Sequence, residues 1–275
     1  MKEKLEVLIS CMNQKDASIA EKTNLHTDAL MVNQCDKEMS ETYQVNGHAV
    51  RIISTLERGL SNSRNMAIEN AFGTIALIAD DDECLDDNYQ TTILKAYEQL
   101  PDADIIAFRM ANQPSRLKQE VQKLNQWTAL RVASWQISFR IDSVKKLNLK
   151  FDPYLGAGSG NGASEEVKFL RDCIQAGLNA YFVPENIGTV GNDYYETADG
   201  SSSSWFAGFD RKFFYQRGTV NRYIYGFPVA VFYAFYYTFT KRKMYGKYIS
   251  MKDALIYTLK GILSNDIEKQ KRNNK

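Results

Sequence analysis

Apolar and polar positions follow one another along most of the chain in blocks typical of strands and helices. Residues 5–12 are mostly apolar and do not alternate with polar positions, which predicts a strand covered on both faces of a sheet. Further strands are predicted at 29–35, 50–54, 74–79, 104–110 and 179–183, and helices at 60–71, 88–100 and 164–176. This alternation predicts an α/β fold with a mostly parallel, doubly wound sheet.

The pattern becomes less regular in two places. Residues 111–150 alternate poorly, although 132–141 could form a strand. Residues 193–204 are polar and rich in glycine and serine, which is typical of a loop or linker. We therefore predict a domain at 1–204 and an aromatic, basic and helical region at 205–275.

Composition narrows the class of protein. The chain has 275 residues and a net charge of +1, so nothing in its overall charge points to a nucleic-acid partner. Its four cysteines form no C-x-x-C pair and are expected to be reduced thiols. The first residues lack the apolar core of a secretory signal, and we expect the protein to stay in the cytoplasm.

A run of acidic residues follows the predicted strand at 74–79. Asp80, Asp81, Asp82 and Glu83 would lie at the carboxyl end of that strand, where parallel sheets bind ligands. Clustered carboxylates repel one another unless a cation lies among them, and oxygen ligands suit Mg²⁺ or Mn²⁺. A solvated turn that caps the next helix is the alternative. A calcium loop is disfavoured because the expected glycine is absent.

The residues around this run resemble family 2 glycosyltransferases. The likeness spans roughly residues 5–190 and depends on Gly59, on Arg64-Asn65 in the helix 60–71, on Ala71-x-Gly73, and on the DxD-type run 80–82. It implies a GT-A fold and a nucleoside-diphosphate-sugar donor, commonly a UDP-sugar, with Mn²⁺ or Mg²⁺. By the same likeness Asp82 would bind the metal, Asp80 would contact the ribose or the metal shell, and Asp81 would lie in the donor site.

The resemblance also implies where the nucleotide binds. Its contacts would come from the end of the first strand (Ser10, Met12, Asn13) and from the end of the second (Gln34, Asp36). Many family members have Pro-Thr-Tyr-Asn at the first position, so this chain keeps only the asparagine. Arg64 would approach the nucleotide or the diphosphate. The alternative for Arg64 is a salt bridge to one of the aspartates.

A second acidic pair, Glu165-Glu166, matches the family's Gly-Glu-Asp at a helix start. The resemblance implies that Glu166, or Glu165, is the general base toward the acceptor hydroxyl. Acids in a first helical turn, after Ser164 as a cap, also stabilise a helix without any catalytic role. The glycine-rich stretch 156–163 is predicted to be a loop beside the acceptor. Trp135 could stack on a sugar ring or belong to the core.

A histidine that binds metal in many relatives, after the strand at 179–183, is missing. The polar residues nearby are Asn186, Thr189, Asn192 and Asp193, and the sequence does not choose among them.

The C-terminal region is aromatic and then basic. Residues 223–240 carry no charge, and 241–275 contain ten Lys or Arg against three acids. Docking on an anionic inner membrane from its cytoplasmic face, packing on the core, and a spanning helix all fit this pattern. Five tyrosines and Pro228 within 223–240 disfavour a spanning helix.

Together these features predict a metal-dependent inverting glycosyltransferase. It would move a sugar from a nucleoside diphosphate to a glycan or lipid-linked glycan in cell-surface polysaccharide synthesis. A nucleotidyltransferase is disfavoured because no glycine-rich loop follows the first strand. The other alternative is a non-catalytic sugar- or lipid-binding partner of a polysaccharide assembly complex.

Overall fold

The computed structural model describes residues 3–191 and 208–274, which divide into two compact units. Unit 1 comprises Met1–Phe151 and Glu166–Asn192, and unit 2 comprises Asp152–Glu165 and Asp193–Lys275. The predicted boundary between residues 204 and 205 lies outside the described residues.

Unit 1 is built on a nine-stranded sheet. Its strands are β1 Leu5–Met12, β2 Asp28–Gln34, β3 Met39–Val45, β4 His48–Thr55, β5 Ile75–Asp80, β7 Ile105–Arg109, β8 Gln122–Lys123, β9 Ile137–Arg140 and β10 Ala180–Asn186. They are ordered β3-β4-β2-β1-β5-β9-β7-β10-β8. A second, two-stranded sheet pairs β6 Glu83–Leu85 with β11 Gly188–Val190. The run β4-β2-β1-β5 is parallel throughout, as the alternation of strands and helices predicts.

Helices α1 Ser18–Lys22, α2 Leu60–Asn70, α3 Tyr89–Gln99 and α4 Ile141–Lys146 belong to unit 1, and α5 Glu165–Gln175 has all but its first residue there. Hydrophobic clusters cover both faces of the sheet. Val7 and Ile9 belong to one cluster and Leu8 to the other, because successive side chains of a strand point to opposite faces. This two-sided burial explains why β1 is mostly apolar, and its buried Glu6 is paired with Arg51 over 2.8 Å.

Three segments of unit 1 differ from the pattern-based expectation. The predicted strand 50–54 is part of a hairpin whose other arm, β3, was missed; Asn46 and Gly47 form its turn with φ of 51° and 80°. The predicted strand 132–141 begins only at Ile137, after two short 3₁₀ turns. It then pairs antiparallel with both β5 and β7, so the sheet is mixed at its centre.

Unit 2 contains the helices α6 Arg211–Tyr225, α7 Phe227–Thr240, α8 Arg242–Tyr245, α9 Met251–Ser264 and α10 Asp266–Asn273. This is the C-terminal helical extension that the sequence predicts. Helices α6 and α9 approach closely through two glycines: a Cβ at Gly218 would lie 2.0 Å from the Thr258 carbonyl oxygen, and one at Gly261 would lie 2.0 Å from that of Tyr215. Within residues 3–191 and 208–274, no helix combines the length and apolarity needed to cross a bilayer.

Candidate active site

The carboxyl ends of the parallel strands β1, β2 and β5 bring most of the predicted donor residues to one edge of the sheet in unit 1. The register pairs Ser10 of β1 with Asp80 of β5, and Met12 of β1 with Gln34 of β2. Asn13 follows directly and adopts a left-handed backbone with φ of 54°, while its N–H donates to the Gln34 carbonyl over 3.1 Å. The expectation that strand ends gather these residues is met by the topology.

Helix α2 carries Arg64 against the first aspartate of the acidic run. One Arg64 nitrogen donates to both Asp80 carboxylate oxygens, over 3.0 and 3.1 Å. The Arg64 side chain is 1% exposed and that of Asp80 is 26% exposed. The guanidinium also lies 5.4 Å from the centre of the Phe151 ring. The salt bridge is thus the role of Arg64 that this geometry displays, and its contact with a nucleotide remains a prediction.

Two neighbours of Arg64 hold α2 in place. The Ser63 hydroxyl donates to that of Ser10 over 2.9 Å, and both side chains are buried. The Asn65 side chain forms two 2.8 Å hydrogen bonds with the main chain of Phe151, one as donor and one as acceptor. The Arg64-Asn65 pair of the motif therefore has a structural basis, because one residue balances Asp80 and the other fixes the ring beside it.

Glu83 is the buried last residue of the acidic run. It is 3% exposed, and its Oε1 accepts from the Asp80 N–H over 2.9 Å. Its Oε2 is buried without a hydrogen-bond partner among the described residues. Burial, followed by the negative charge of Asp80, raises the pKa of Glu83 well above its usual range. Sequence reasoning placed Glu83 in the run but gave it no role; the alternation Glu-Cys-Leu, buried-exposed-buried, is the signal that could have found it.

Asp81 and Asp82 form the exposed part of the run, between β5 and β6. Loss of surrounding water, and then the charge of Asp80, raise the pKa of Asp81. Nearby, burial and the charge of Asp81 raise the pKa of the Cys11 thiol to about 12, so this thiol stays neutral. The negative charges of this run therefore lie close enough together to affect one another's protonation.

Strand β11 runs antiparallel to β6 and holds the main chain of the acidic run. The Gly191 N–H donates to the Asp82 carbonyl over 2.7 Å. A Cβ at Gly188 would lie 2.4 Å from the Cys84 carbonyl oxygen, so glycine is required at this approach. Thr189 faces Cys84 in the register, and Asn186 ends β10. Asn192 and Asp193, the other polar residues considered for metal binding, lie outside the described residues.

The acidic run offers oxygen ligands suited to Mg²⁺ or Mn²⁺, but the described residues do not form a complete set of protein ligands for a metal ion. Across residues 3–191 and 208–274, no group of three or more His, Cys, Asp or Glu could hold a metal ion. Magnesium in nucleotide-dependent enzymes is commonly bound by one or two carboxylates together with phosphate oxygens. The exposed carboxylates of Asp81 and Asp82 fit that mode, and metal dependence remains a prediction.

Arg58 organises the loops at the ends of β2 and β4. Its Nη2 bonds to Asp36 over 2.6 Å, and Asp36 is almost fully exposed. Its Nη1 donates to four carbonyl oxygens, those of Cys35, Thr55, Leu56 and Glu57, over 2.8 to 3.3 Å. Beside it, the Gln34 side-chain oxygen accepts from the Gly59 N–H over 2.7 Å. Sequence reasoning missed Arg58, which stands just before the recognised motif.

Trp135 lies in the 3₁₀ turn just before β9, and the second acidic pair is divided between the two units. Trp135 is half-buried and packs against the hydrophobic cluster that contains Val7 and Ile9, so it has at least the core role. Glu166 is a half-buried residue of unit 1. Glu165 is 5% exposed and belongs to unit 2. Ser164 has φ of 91°, whereas residues that cap helices usually have extended backbone.

Within unit 2, the glycine-rich stretch forms one wall of a cavity of about 120 Å³. A Cβ at Gly156, which has φ of 91°, would lie 3.1 Å from the Glu165 carboxyl carbon, so this glycine makes room for Glu165. The opposite wall comes from the start of α6, with Asp210, Lys212 and Gln216. Gln216 donates to the Gly160 carbonyl over 2.8 Å and so fixes the stretch against the helix.

A family model described as glycosyl transferase family 2 matches residues 6–157, which is more than half of the chain. The chain belongs to glycosyl transferase family 2. No protein in a comparison with curated sequences matched it.

Several solved structures share the fold of this chain. S. aureus TarS is 12% identical with a TM-score of 0.54, and the match covers 79% of this chain but only 39% of that one. TarS 1-349 in complex with UDP-GlcNAc is 12% identical, with a TM-score of 0.60 and coverage of 93% and 79%. The mannosyltransferase PcManGT from Pyrobaculum calidifontis, in complex with GDP-Man and Mn²⁺, is 10% identical, with a TM-score of 0.53 and coverage of 96% and 87%. The predicted family and GT-A fold are confirmed.

Proposed function

We propose that this family 2 glycosyltransferase moves a sugar from a nucleoside diphosphate, a UDP-sugar first among the candidates, to a hydroxyl of a glycan or lipid-linked glycan, with inversion. The observation that carries the proposal is the arrangement at the strand ends, where exposed Asp81 and Asp82 continue from an Asp80 that is paired with buried Arg64. The solved structures with UDP-GlcNAc and with GDP-Man and Mn²⁺ support a donor of this chemistry.

In this proposal Asp82 holds Mn²⁺ or Mg²⁺, and Asp80, oriented by Arg64, faces the ribose or the metal shell. A bound cation would neutralise the charge that develops on the diphosphate leaving group. Ser10, Met12, Asn13, Gln34 and Asp36 line the nucleoside side, and Arg58 keeps Asp36 and its loop in position. Pre-arranged charges of this kind lower the barrier because they need not reorganise during the reaction.

On the acceptor side, a glutamate takes the proton of the attacking hydroxyl. The acceptor oxygen forms a bond to the anomeric carbon while the bond from that carbon to the diphosphate oxygen breaks, and the proton goes to the carboxylate. We assign this role to Glu166 before Glu165, because Glu166 is half-buried whereas Glu165 is 5% exposed. A base must come within hydrogen-bond distance of the hydroxyl, which favours the more accessible carboxylate.

The cation assignment is tested with Asp82→Asn. We expect metal-dependent kcat/KM to fall about 100-fold or more, because a group that stabilises charge in the transition state is lost. Asp87→Asn is the matched control, since that side chain is 93% exposed and lies beyond β6. If the Asp82→Asn variant transferred sugar with wild-type, metal-dependent kinetics, the assignment of Asp82 as a metal ligand would be wrong. If calorimetry detects no binding of UDP, GDP or Mn²⁺ by the wild-type chain, a non-catalytic partner role replaces the enzyme.

The base assignment is tested with the pair Glu166→Gln and Glu165→Gln. We expect the first to lower kcat about 100-fold or more, with little change in donor affinity, since general base catalysis is worth roughly 10²- to 10⁴-fold. The second variant serves as the control for a neighbouring buried carboxyl. Wild-type turnover by Glu166→Gln, together with a loss in Glu165→Gln, would transfer the role to Glu165.

A further inference from the structure

One face of helix α7 exposes large aromatic side chains. Phe232, Phe235, Tyr236 and Phe239, here named the aromatic face, are 70%, 43%, 48% and 57% exposed. Their spacing of three and four residues puts them on one side of the helix. The other side, with Ala230, Ala234, Tyr237 and Thr238, is buried within unit 2. Contiguous apolar surface of this kind marks an interaction site rather than ordinary surface scatter.

Basic residues continue directly from the aromatic face. Lys241, Arg242, Lys243 and Lys247 are all exposed, and residues 241–247 are named the basic segment. Met244 within it and Tyr248 just after it are 54% and 72% exposed. The surrounding stretch, residues 211–252, contains nine Lys or Arg and no Asp or Glu. The exposed apolar surface therefore adjoins positive charge with no acid nearby in the sequence.

We propose that the aromatic face and the basic segment dock on a lipid bilayer that carries anionic headgroups, with α7 lying in the plane of the interface. Aromatic rings favour the headgroup level, and lysine and arginine near the surface are attracted to anionic lipids. Helix α7 has 14 residues, and at about 1.5 Å per residue it is shorter than the roughly 30 Å hydrocarbon core. It therefore lies on the bilayer and does not span it.

Charge also argues against a second copy of this chain as the occupant. A two-fold contact through the aromatic face would add a second basic segment to the complex and supply no opposite charge, so electrostatics would not favour it. An anionic bilayer supplies the complementary charge. The inference is independent of the proposed reaction, except that docking would bring a lipid-linked acceptor to the enzyme.

The test is flotation of the full chain with phosphatidylcholine vesicles, with and without phosphatidylglycerol, in the absence of nucleotide. We expect co-migration only with the anionic vesicles. The double variant Phe232→Ser/Phe239→Ser should lose binding, while Phe232→Trp/Phe239→Trp retains it. Phe72→Ser is the matched control, because Phe72 is a 75% exposed phenylalanine of unit 1. Circular dichroism and activity on a water-soluble acceptor verify that each variant is folded, and both should stay at the wild-type level.

The electrostatic part is tested by Lys241→Gln/Arg242→Gln/Lys243→Gln. Binding should fall about 100-fold, at roughly fivefold for each charge, whereas Lys241→Arg/Lys243→Arg should bind as wild type does. Three outcomes would overturn the inference: no co-migration with anionic vesicles, equal binding to neutral vesicles, or a concentration-dependent dimer that the Phe232→Ser/Phe239→Ser variant abolishes. If the wild-type protein binds anionic vesicles but transfers no sugar to the soluble acceptor, that result would count against the proposed reaction and not against membrane docking.

Discussion

At the scale of single residues, the acidic run divides into one aspartate that is paired with a buried arginine and two aspartates that are exposed. Arg64 is 1% exposed and pairs with Asp80, the only aspartate of the run that the strand holds directly. A buried arginine without its partner would lower the stability of the folded protein, so we expect the fold to keep Arg64 and Asp80 paired. Asp81 and Asp82 then extend into the turn between β5 and β6, where both residues are exposed.

Glu83 gives a prediction about stability. Its pKa is raised in the folded protein, first by burial, whereas in the unfolded chain it titrates at its ordinary value of about 4.3. The unfolded state therefore loses this proton first as pH rises, and the folded state loses stability across the window from that value up to the folded pKa. Glu83→Gln keeps an acceptor for the Asp80 N–H and removes the titration.

We expect Glu83→Gln to raise the free energy of unfolding at pH 7 by about 1–2 kcal/mol, because the variant no longer carries the cost of a carboxyl whose pKa is raised on folding, and one pKa unit corresponds to about 1.4 kcal/mol. Urea unfolding in EDTA, at several pH values between 4 and 8, measures this effect and its pH dependence. The difference between variant and wild type should shrink as pH falls toward about 4.3. A Glu83→Gln protein that is less stable at pH 7 would mean that the buried carboxylate is stabilising.

Among the helices and strands, the hydrophobic pattern predicted the strands that are rich in buried apolar residues, but it missed β3 at the sheet edge and misplaced the start of β9 at the sheet centre. Strands β1, β2 and β5 are buried along almost their whole length and are mostly apolar, as expected of a sheet that is covered on both faces. Strand β3 was missed because it is an edge strand that alternates polar and charged residues with few buried ones. Strand β9 has only four residues between 3₁₀ turns and α4, too few for a period to emerge.

The close approach of α6 and α9 gives a prediction about packing. Alanine favours a helix over glycine by about 1 kcal/mol, so Gly261→Ala would stabilise an isolated α9. In the folded protein its Cβ would lie 2.0 Å from the Tyr215 carbonyl oxygen, which is main chain and cannot rotate away. We therefore expect a net loss of about 1–3 kcal/mol, the usual cost of overpacking. Thermal unfolding measures this loss, with exposed Lys252→Ala on the same helix as the control; a higher melting temperature for Gly261→Ala would contradict the contact.

For the whole molecule, sequence position is a poor guide to the composition of unit 2. The glycine-rich stretch lies more than forty residues before α6, yet belongs to the same compact unit. The Tyr223 hydroxyl donates to Asp152 over 2.5 Å, and the Asn161 side chain donates to that of Gln270 over 2.8 Å. These partners are 71 and 109 residues apart in the chain, and no local pattern reports such a pairing. By contrast, the placement of the predicted donor residues at one edge of the sheet could be predicted from the sequence, because these residues follow the ends of successive strands.

Because residues 152–165 and the C-terminal helices belong to the same compact unit, we expect them to unfold locally together in native-state hydrogen exchange. Amides that belong to one cooperative unit become exchangeable together. If residues 152–165 are held by α6 and α10, as the hydrogen bonds of Asp152, Gly160 and Asn161 indicate, then Gly261→Ala should increase exchange in that stretch and in α6 and α9 alike. Strands β1 and β5, at the centre of unit 1, should keep their protection. Increased exchange confined to α9 would mean that the glycine-rich stretch is stabilised independently of the helices, and equal loss in β1 and β5 would mean that the two units open as one.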